Sequence, residues 1–501
     1  MRFASIFRHK MADLFALAAL LFIPMPLTYA QQETPPPPAA PRSPILPKPV
    51  ERTLANGMRV IVIEKKDVPL ITADVFIKNG GEIDPQNLAG LANLTAELLT
   101  EGTKTRTAPE IAEAIEALGG TIESAARWDA SIVSVSVMAS KIEPAMQILA
   151  DVVRNPAFKE DEIERQRQQT LDQLRVALKQ PGALARYVAA RVIFGDTPYG
   201  HPLMGTVESL ARIKRDDIIR LHQIFYRPDN AILVIGGEIK PEAAFALAEK
   251  LFGDWQKPNM QLPISSKVTA AITSVRPRVI VIDKPDAGQA AVLLTRLGLE
   301  RTDTDYFKGL VANSVLGGGY SARLNQEIRI KRGLSYGAGS ILETRRNVGP
   351  FMAVTQTKNE SGAEVAGLLL SELTRLSSEA IPNAELVPRK AVLIGNFGRN
   401  LETNDGLATQ IGTLALYGLS LDEIHHYINN VQKVSASDVQ NFAGQRLSAK
   451  DASIIIVGNA KLFLEDLRKQ FPNVEVIPES ALDLNSAALR KTSASSEGSN
   501  E

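Results

Sequence analysis

The second half of this 501-residue chain repeats the order of secondary-structure elements predicted for its first half. In the first half a predicted helix opens at Gly90, and a late β-rich run ends at Gly236. The corresponding places in the second half are taken by Gly309 and Gly458, which lie 219 and 222 residues further on. Two anchors at nearly one offset predict an internal duplication, and therefore two domains of similar architecture.

Hydrophobic periodicity predicts alternating strands and helices in both halves. We predict strands at 58–64, 70–78, 131–138, 231–236, 291–297 and 453–458, and helices at 88–101, 108–118, 161–179, 182–194, 216–225 and 306–316. Interleaved elements of this kind favour an α+β protein made of two homologous α/β domains, each a sheet covered by helices.

Changes in composition divide the chain further. The N-terminal domain is placed at 50–258 and the C-terminal domain at 276–482, joined by a linker at 259–275 that is rich in Pro, Asn and Ser. A proline-rich stretch at 31–49 is predicted to be an extended tether. The serine-rich end at 483–501 is predicted to be a disordered tail.

The N-terminus has the pattern of a secretory signal peptide. Arg2, Arg8 and Lys10 precede an apolar run at 14–23, and small residues follow up to Ala30. A run of ten apolar residues is about half of what spans a bilayer, so no stable membrane anchor is expected. We therefore predict that residues 1–30 are removed on export and that the protein is periplasmic.

The composition excludes several kinds of chemistry. The sequence contains no cysteine, which excludes disulfides, thiolate metal sites and a cysteine nucleophile. Formal net charge is zero, so nothing indicates a nucleic-acid partner. Outside the first thirty residues there are four histidines, His201, His222, His425 and His426, for which we predict structural roles.

Three segments carry a resemblance to a known family. Thr-Leu-Ala-Asn-Gly-Met-Arg-Val occupies 53–60, Gly-Leu-Ala-Asn-Leu-Thr-Ala-Glu occupies 90–97, and Tyr-Arg-Pro-Asp-Asn-Ala occupies 226–231. Together they resemble the M16, or insulinase-like, peptidases over about 52–460. In active members of that family the helix after Gly-Leu-Ala carries the inverted zinc motif His-x-x-Glu-His. Two histidines at i and i+4 on one helical face grip the zinc ion, and the glutamate acts as base toward the bound water.

This sequence departs from the motif at every position that the zinc ion needs. The resemblance places Asn93 and Glu97 at the two histidines, Ala96 at the catalytic glutamate and Gln173 at the third ligand. Neutral amides are poor zinc donors, and alanine cannot accept a proton. We therefore expect no zinc in this chain, although a different metal bound by Glu97 and a neighbour stays open.

The second half keeps a segment of the family that is concerned with substrate, whereas the first half lacks the zinc motif. Arg-Gly-Leu-Ser-Tyr at 332–336 is similar to a family segment that places an arginine and a tyrosine against the substrate backbone, across the cavity from the zinc ion. The resemblance therefore implies that Arg332 and Tyr336 bind peptide substrate, since guanidinium and phenol groups both donate to carbonyl oxygens. The alternative is that Arg332 pairs with a surface carboxylate and Tyr336 packs in the core.

These expectations give two hypotheses for the function. The first is a non-catalytic, substrate-binding subunit of a heteromeric periplasmic M16 peptidase, which completes the peptide chamber of a partner that carries the zinc ion. The second is a peptide-binding or scaffold protein of M16 fold with no proteolytic role. A self-sufficient metallopeptidase conflicts with the vacated motif.

Overall fold

The computed structural model describes residues 46–263 and 276–491. The predicted signal peptide, most of the tether and linker, and residues 492–501 lie outside these ranges. The strands are β1 Val50–Thr53, β2 Arg59–Glu64, β3 Leu70–Ile77, β4 Thr121–Ala126, β5 Ser131–Met138, β6 Ala231–Gly237, β7 Val279–Asp283, β8 Ala290–Leu297, β9 Leu299–Glu300, β10 Ser335–Leu342, β11 Thr344–Arg345, β12 Pro350–Thr357, β13 Ser453–Gly458 and β14 Val474–Pro478.

Helices cover these strands in both halves. They are α1 Leu91–Glu97, α2 Ala108–Ala117, α3 Ile142–Arg154, α4 Glu160–Lys179, α5 Pro181–Phe194, α6 Val207–Arg212, α7 Arg215–Phe225, α8 Pro241–Phe252, α9 Tyr306–Gly317, α10 Arg323–Asn325, α11 Gly362–Ser378, α12 Asn383–Glu402, α13 Asn404–Leu416, α14 Glu423–Lys433, α15 Ala436–Arg446 and α16 Leu464–Gln470. A π-helical turn at Gln326–Lys331 continues α10.

The two large sheets have the same strand order. The first runs β1-β2-β6-β3-β5-β4, and the second runs β14-β7-β13-β8-β12-β10. In both, the second and third strands are parallel and the later pairs are antiparallel. The outermost strands differ, because β1 is antiparallel to its neighbour and β14 is parallel. The prediction of two homologous α/β domains is therefore confirmed.

One helix from each half of the chain packs on the sheet of the other half. Leu184, Val188 and Val192 of α5 pack with Ile280 and Leu293 of the second sheet. The long helix α4 precedes α5, and its 20 residues span about 30 Å, enough to carry the chain across a domain. The domains are thus interlocked in space, although their sequence ranges do not overlap.

Helix α13 makes the reciprocal crossing. Leu407, Ile411 and Leu414 pack on Ile61 and Val234 of the first sheet. It follows α12, which is also 20 residues long. The crossing is therefore part of the duplicated unit, and the core of each domain is completed by the other half of the chain.

Two loops meet between the domains, the β4–β5 turn and the loop after β11. The carboxylate of Asp129 accepts hydrogen bonds from the Tyr199 hydroxyl at 2.5 Å, the Tyr417 hydroxyl at 3.0 Å and the Arg346 backbone N–H at 2.7 Å. The Arg345 guanidinium lies 4.4 Å from the ring centroid of Trp128 and also contacts the rings of Phe194 and Tyr199. These hydrogen bonds and ring contacts join the two domains at this interface.

The C-terminal segment differs from the sequence prediction. Residues 483–491, which we assigned to a disordered tail, fold back over the surface: Leu489 is fully buried, and Leu484 packs against the α5 cluster. The backbone oxygen of Leu484 also accepts a hydrogen bond from Arg191 at 2.7 Å. Leu484 and Leu489 provide the apolar surface that packs this segment against the protein. The polar composition of the segment did not predict this packing. Within 46–263 and 276–491, no helix is long and apolar enough to cross a membrane.

Candidate functional site

Helix α1 is the element that corresponds to the zinc-binding helix. It starts at Gly90, whose φ of 91° suits glycine and whose missing side chain allows close approach to the backbone oxygen of Met204. The buried carboxylate of Asp84 accepts hydrogen bonds from the N–H groups of Gly90 and Ala92, both at 2.8 Å, and so caps the helix. The helix is intact because its capping by Asp84 does not involve the vacated positions, and Ala96 packs in the core of the first domain.

The polar groups at the vacated positions bond to each other. Glu97 Oε1 accepts a hydrogen bond from Asn93 Nδ2 at 3.0 Å, and Oε2 accepts one from Gln166 Nε2 at 2.9 Å and a longer one from Thr170 Oγ1 at 3.4 Å. Ala96 beside them is fully buried. The carboxylate is thus hydrogen bonded mainly by two neutral amide N–H groups, and Glu97 is the one carboxylate of this cluster, which is too few strong donors for a zinc ion.

The third predicted ligand position does not join this cluster. Gln173 is exposed on α4, whereas Gln166 and Thr170 are buried beside Glu97. The three residues have the i, i+4, i+7 spacing of one helical face, which could have pointed to Gln166 and Thr170 from the sequence. Across the two ranges that the structure describes, no group of three or more His, Cys, Asp or Glu side chains is placed to hold a metal ion. The side chains present do not fit a zinc ion.

The histidines occupy structural positions. His201 and His222 are hydrogen bonded to the backbone oxygens of Pro202 and Val153, at 2.9 and 2.8 Å, and burial lowers the pKa of both to about 4. His426 is exposed and bonds to Asp422 one turn earlier. Neutral buried imidazoles with backbone partners are part of the packing.

Arg332 and Tyr336 lie at one corner of the second domain. The π-helical turn ends just before Arg332, Gly333 has a φ of 65°, and the N–H of Leu334 donates to the oxygen of Ile328 at 2.9 Å. This closure matches the predicted helix-to-strand corner. Tyr336 opens β10 with 88% of its surface exposed, so the alternative in which it packs in the core does not describe this structure.

Arg332 is held by a carboxylate that it shares with a second cation. Its Nε and Nη2 atoms lie 3.1 and 2.9 Å from Glu327 Oε1, while Lys331 Nζ lies 2.8 Å from Oε2. These two cations, Lys331 first, hold the pKa of Glu327 below its ordinary value. Because Lys331 stays on the carboxylate, Arg332 can swing to another acceptor without leaving Glu327 unpaired. The guanidinium is half exposed, and its Nη1 atom also lies 3.6 Å from Glu364 Oε1.

A cavity of about 340 Å³ opens beside Tyr336. One wall is the start of α5, at Gly182 and Arg186, and the other is formed by β10 and β12, at Gly337 and Gln356. The exposed tyrosine therefore stands at the edge of a concave surface built from both halves of the chain.

A duplicated pair of α/β domains, with a closed cluster of amide and carboxylate groups where a peptidase would hold zinc, defines a peptidase-like protein that has lost its metal motif. Two family models agree with this class: one described as insulinase (peptidase family M16) matches residues 59–207, and one described as the peptidase M16 inactive domain matches residues 212–393. The chain belongs to the M16 peptidase family.

Curated relatives support the assignment over most of the chain. A protein named an uncharacterized zinc protease in Mycobacterium leprae is 27% identical over 404 residues, which is 81% of this chain and 90% of that protein. Another of that description in Streptomyces coelicolor is 24% identical over 412 residues, covering 82% of this chain and 89% of the relative.

Solved structures share the fold. A peptidase M16 inactive domain from Pseudomonas fluorescens has a TM-score of 0.75 and 25% identity, covering 82% of this chain and 98% of that one. A protease from Helicobacter pylori has a TM-score of 0.76 and 21% identity, covering 82% of this chain and 100% of the other.

Proposed function

We propose that this chain is a non-catalytic, substrate-binding subunit of a periplasmic M16 peptidase, and that it completes the peptide chamber of a partner subunit that carries the zinc ion. The observation that carries the proposal is the contrast between the two domains. The first has a closed polar cluster around Glu97 in place of a metal site. The second presents Tyr336 almost fully to solvent, four residues from a half-exposed Arg332.

The two retained side chains have the chemistry that the role needs. A guanidinium and a phenol both donate hydrogen bonds, and a peptide carbonyl accepts them. Donors that are positioned where charge develops on a carbonyl oxygen stabilise the transition state of hydrolysis. The partner would supply the metal and the base, and this chain would supply Arg332 and Tyr336. Periplasmic location rests on the signal-peptide pattern of residues 1–30.

The test is peptide cleavage by a complex of this chain with an M16 subunit that carries an intact His-x-x-Glu-His motif. Losing one transition-state donor costs about 100-fold or more in rate, so Arg332→Ala and Tyr336→Phe are each expected to lower kcat/KM about 100-fold. Zinc content of the complex should stay the same in both variants.

Lys469→Ala is the control, because Lys469 is exposed on α16 of the same domain and pairs with Asp466, away from Glu327. Its effect should be less than about threefold, in the range of exposed ion pairs. Cleavage that is unchanged by both Arg332→Ala and Tyr336→Phe in an assembled complex would rule out this role.

A further inference from the structure

A groove runs between α5 and the strands β10 and β12 of the second sheet. It consists of the 340 Å³ cavity beside Tyr336 and a second cavity of about 200 Å³ lined by Trp128 and Met352. Arg186 lines both cavities and so marks the middle of the groove. We call this surface the α5–β12 groove.

The groove is open because both of its walls carry small residues. On the helix these are Gly182, Ala185 and Ala189, and on β10 they are Gly337 and Gly339. A Cβ atom at Gly337 would meet no atom within 4 Å, so nothing in the described chain fills the space above it. At Gly182 the opposite wall comes close: a Cβ atom there would lie 2.6 Å from Gln356 Nε2, so a larger residue at this position would meet the Gln356 side chain.

The dimensions fit an extended peptide. Met352, which lines the smaller cavity, and Gln356, which lines the larger, lie four residues apart on β12. At a rise of about 3.4 Å per residue, this separation is about 14 Å, so the groove accommodates a segment of about five extended residues.

The side chain at the centre of the groove carries a positive charge. Arg186 is exposed and makes no ion pair with the residues that the structure describes. The other guanidinium that lines the smaller cavity, that of Arg345, is already bonded to Glu343 and lies against three aromatic rings. Around the free cation the smaller cavity is lined mainly by apolar side chains, which are Trp128, Tyr187, Ile193, Phe194 and Met352.

We propose that the α5–β12 groove binds an extended peptide that carries an acidic side chain, which pairs with Arg186, and an apolar side chain about two residues away, which enters the smaller cavity. This inference rests on the proposed function and extends it, because it names the class of peptide that this subunit would bind. The groove would position such peptides with Tyr336 at one end.

The test uses the purified chain without any partner. Fluorescence anisotropy would measure its affinity for two labelled eight-residue peptides of otherwise equal sequence, with Glu or Gln two residues from a leucine. A pair partly shielded in a groove contributes about 1 kcal/mol, so the Glu peptide should bind about fivefold more tightly. Arg186→Gln should remove this preference, so that the two peptides bind with equal affinity. Arg175→Gln, an exposed arginine on α4, is the matched control and should preserve the preference.

A second variant tests the place of binding. Gly337→Val puts a branched side chain into the open space of the larger cavity and suits a strand, so its thermal unfolding should match that of the wild type while both peptides lose affinity. Equal affinity of the wild type for the two peptides, a preference that survives Arg186→Gln, or binding that survives Gly337→Val would each overturn the proposal. Because no zinc subunit is present, these results are independent of whether the mixed complex cleaves peptide.

Discussion

Replacing Arg346 with alanine is expected to lower the free energy of unfolding by about 3 kcal/mol, because it leaves a buried carboxylate without its cation. Glu82, in the first domain, has a side chain only 1% exposed, and its Oε1 atom lies 3.2 Å from Arg346 Nη1. Arg346 also donates from Nη2 to the backbone oxygens of Lys78 and Asp129, at 2.7 and 3.1 Å. One arginine of the second half therefore satisfies three acceptors of the first.

The pKa of Glu82 explains why the loss is large. Burial raises it to about 7, and the charge of Arg346 is the main influence that lowers it. Without that charge the carboxylate becomes protonated at neutral pH or draws in water, and either change costs free energy. Chemical denaturation at pH 7.5 would measure the difference.

Two variants make this test specific. Adding Glu82→Gln to Arg346→Ala removes the buried charge and should restore about half of the lost stability. Arg175→Ala breaks a surface pair with Asp172 in which both side chains are more than half exposed, and it should cost less than about 0.5 kcal/mol. An Arg346→Ala protein as stable as the Arg175→Ala control would show that the inter-domain ion pair contributes little.

Replacing Asp74 with asparagine is expected to stabilise the protein, and to do so more at high pH. Asp74 lies on β3 and is fully buried, and neither of its carboxylate oxygens has a hydrogen-bond partner in the described structure. Its pKa is raised to about 7, mainly by burial and to a lesser extent by the nearby Asp405, while Ser134 and Arg127 oppose the shift. The folded protein thus prefers Asp74 protonated.

The sign of the pH dependence follows from that shift. The pKa of Asp74 in the folded state lies above the ordinary value of 3.8, so the contribution of Asp74 to stability is greatest below pH 3.8 and is lost as the pH rises through about 7. At 1.36 kcal/mol per pKa unit, the stabilisation by Asp74→Asn should be about 2 to 3 kcal/mol larger at pH 8 than at pH 5. Chemical denaturation of the wild type and of the Asp74→Asn variant at both pH values would measure this difference. The titration of Glu82 contributes equally to both proteins and therefore cancels.

Asp172→Asn serves as the control for Asp74→Asn, because Asp172 is exposed on α4. It should change stability equally at both pH values. If Asp74→Asn also gave the same difference at pH 5 and pH 8, Asp74 would not titrate in this range.

The sequence predicted several strands and helices and the loss of the zinc motif. It did not predict which helices pack on which sheet. The strands Ser131–Met138 and Ser453–Gly458 have the predicted bounds, since alternation of apolar residues defines both their length and their buried face. Helix α1 is shorter than the predicted 88–101, because 3₁₀ turns flank it on both sides. The crossing of α5 and α13 was missed, since an apolar helix indicates that it is buried but not which sheet covers it.

At the site, the residue types were predictable and their partners were not. Comparison with the zinc motif identifies the vacated positions. The hydrogen bond between Glu97 and Gln166, however, joins α1 and α4, which are far apart in the sequence, so the sequence alone does not predict it. Pairing of Arg332 with a surface carboxylate was the alternative that the sequence offered, but Glu327 was not identified as the partner, for a local reason. Residues five apart do not share a face of an α-helix, whereas the π-helical turn at Gln326–Lys331 brings them together.

The account can be tested most directly by titrating this chain into a fixed concentration of a zinc-bearing M16 subunit from the same organism and measuring peptide cleavage. We predict that the chain alone cleaves nothing and binds less than about 0.1 equivalent of zinc, because its side chains offer no set of zinc ligands. Cleavage should rise with added chain and level off near equimolar amounts. Cleavage by the zinc-bearing subunit that does not change with added chain, or cleavage by this chain alone, would contradict the account.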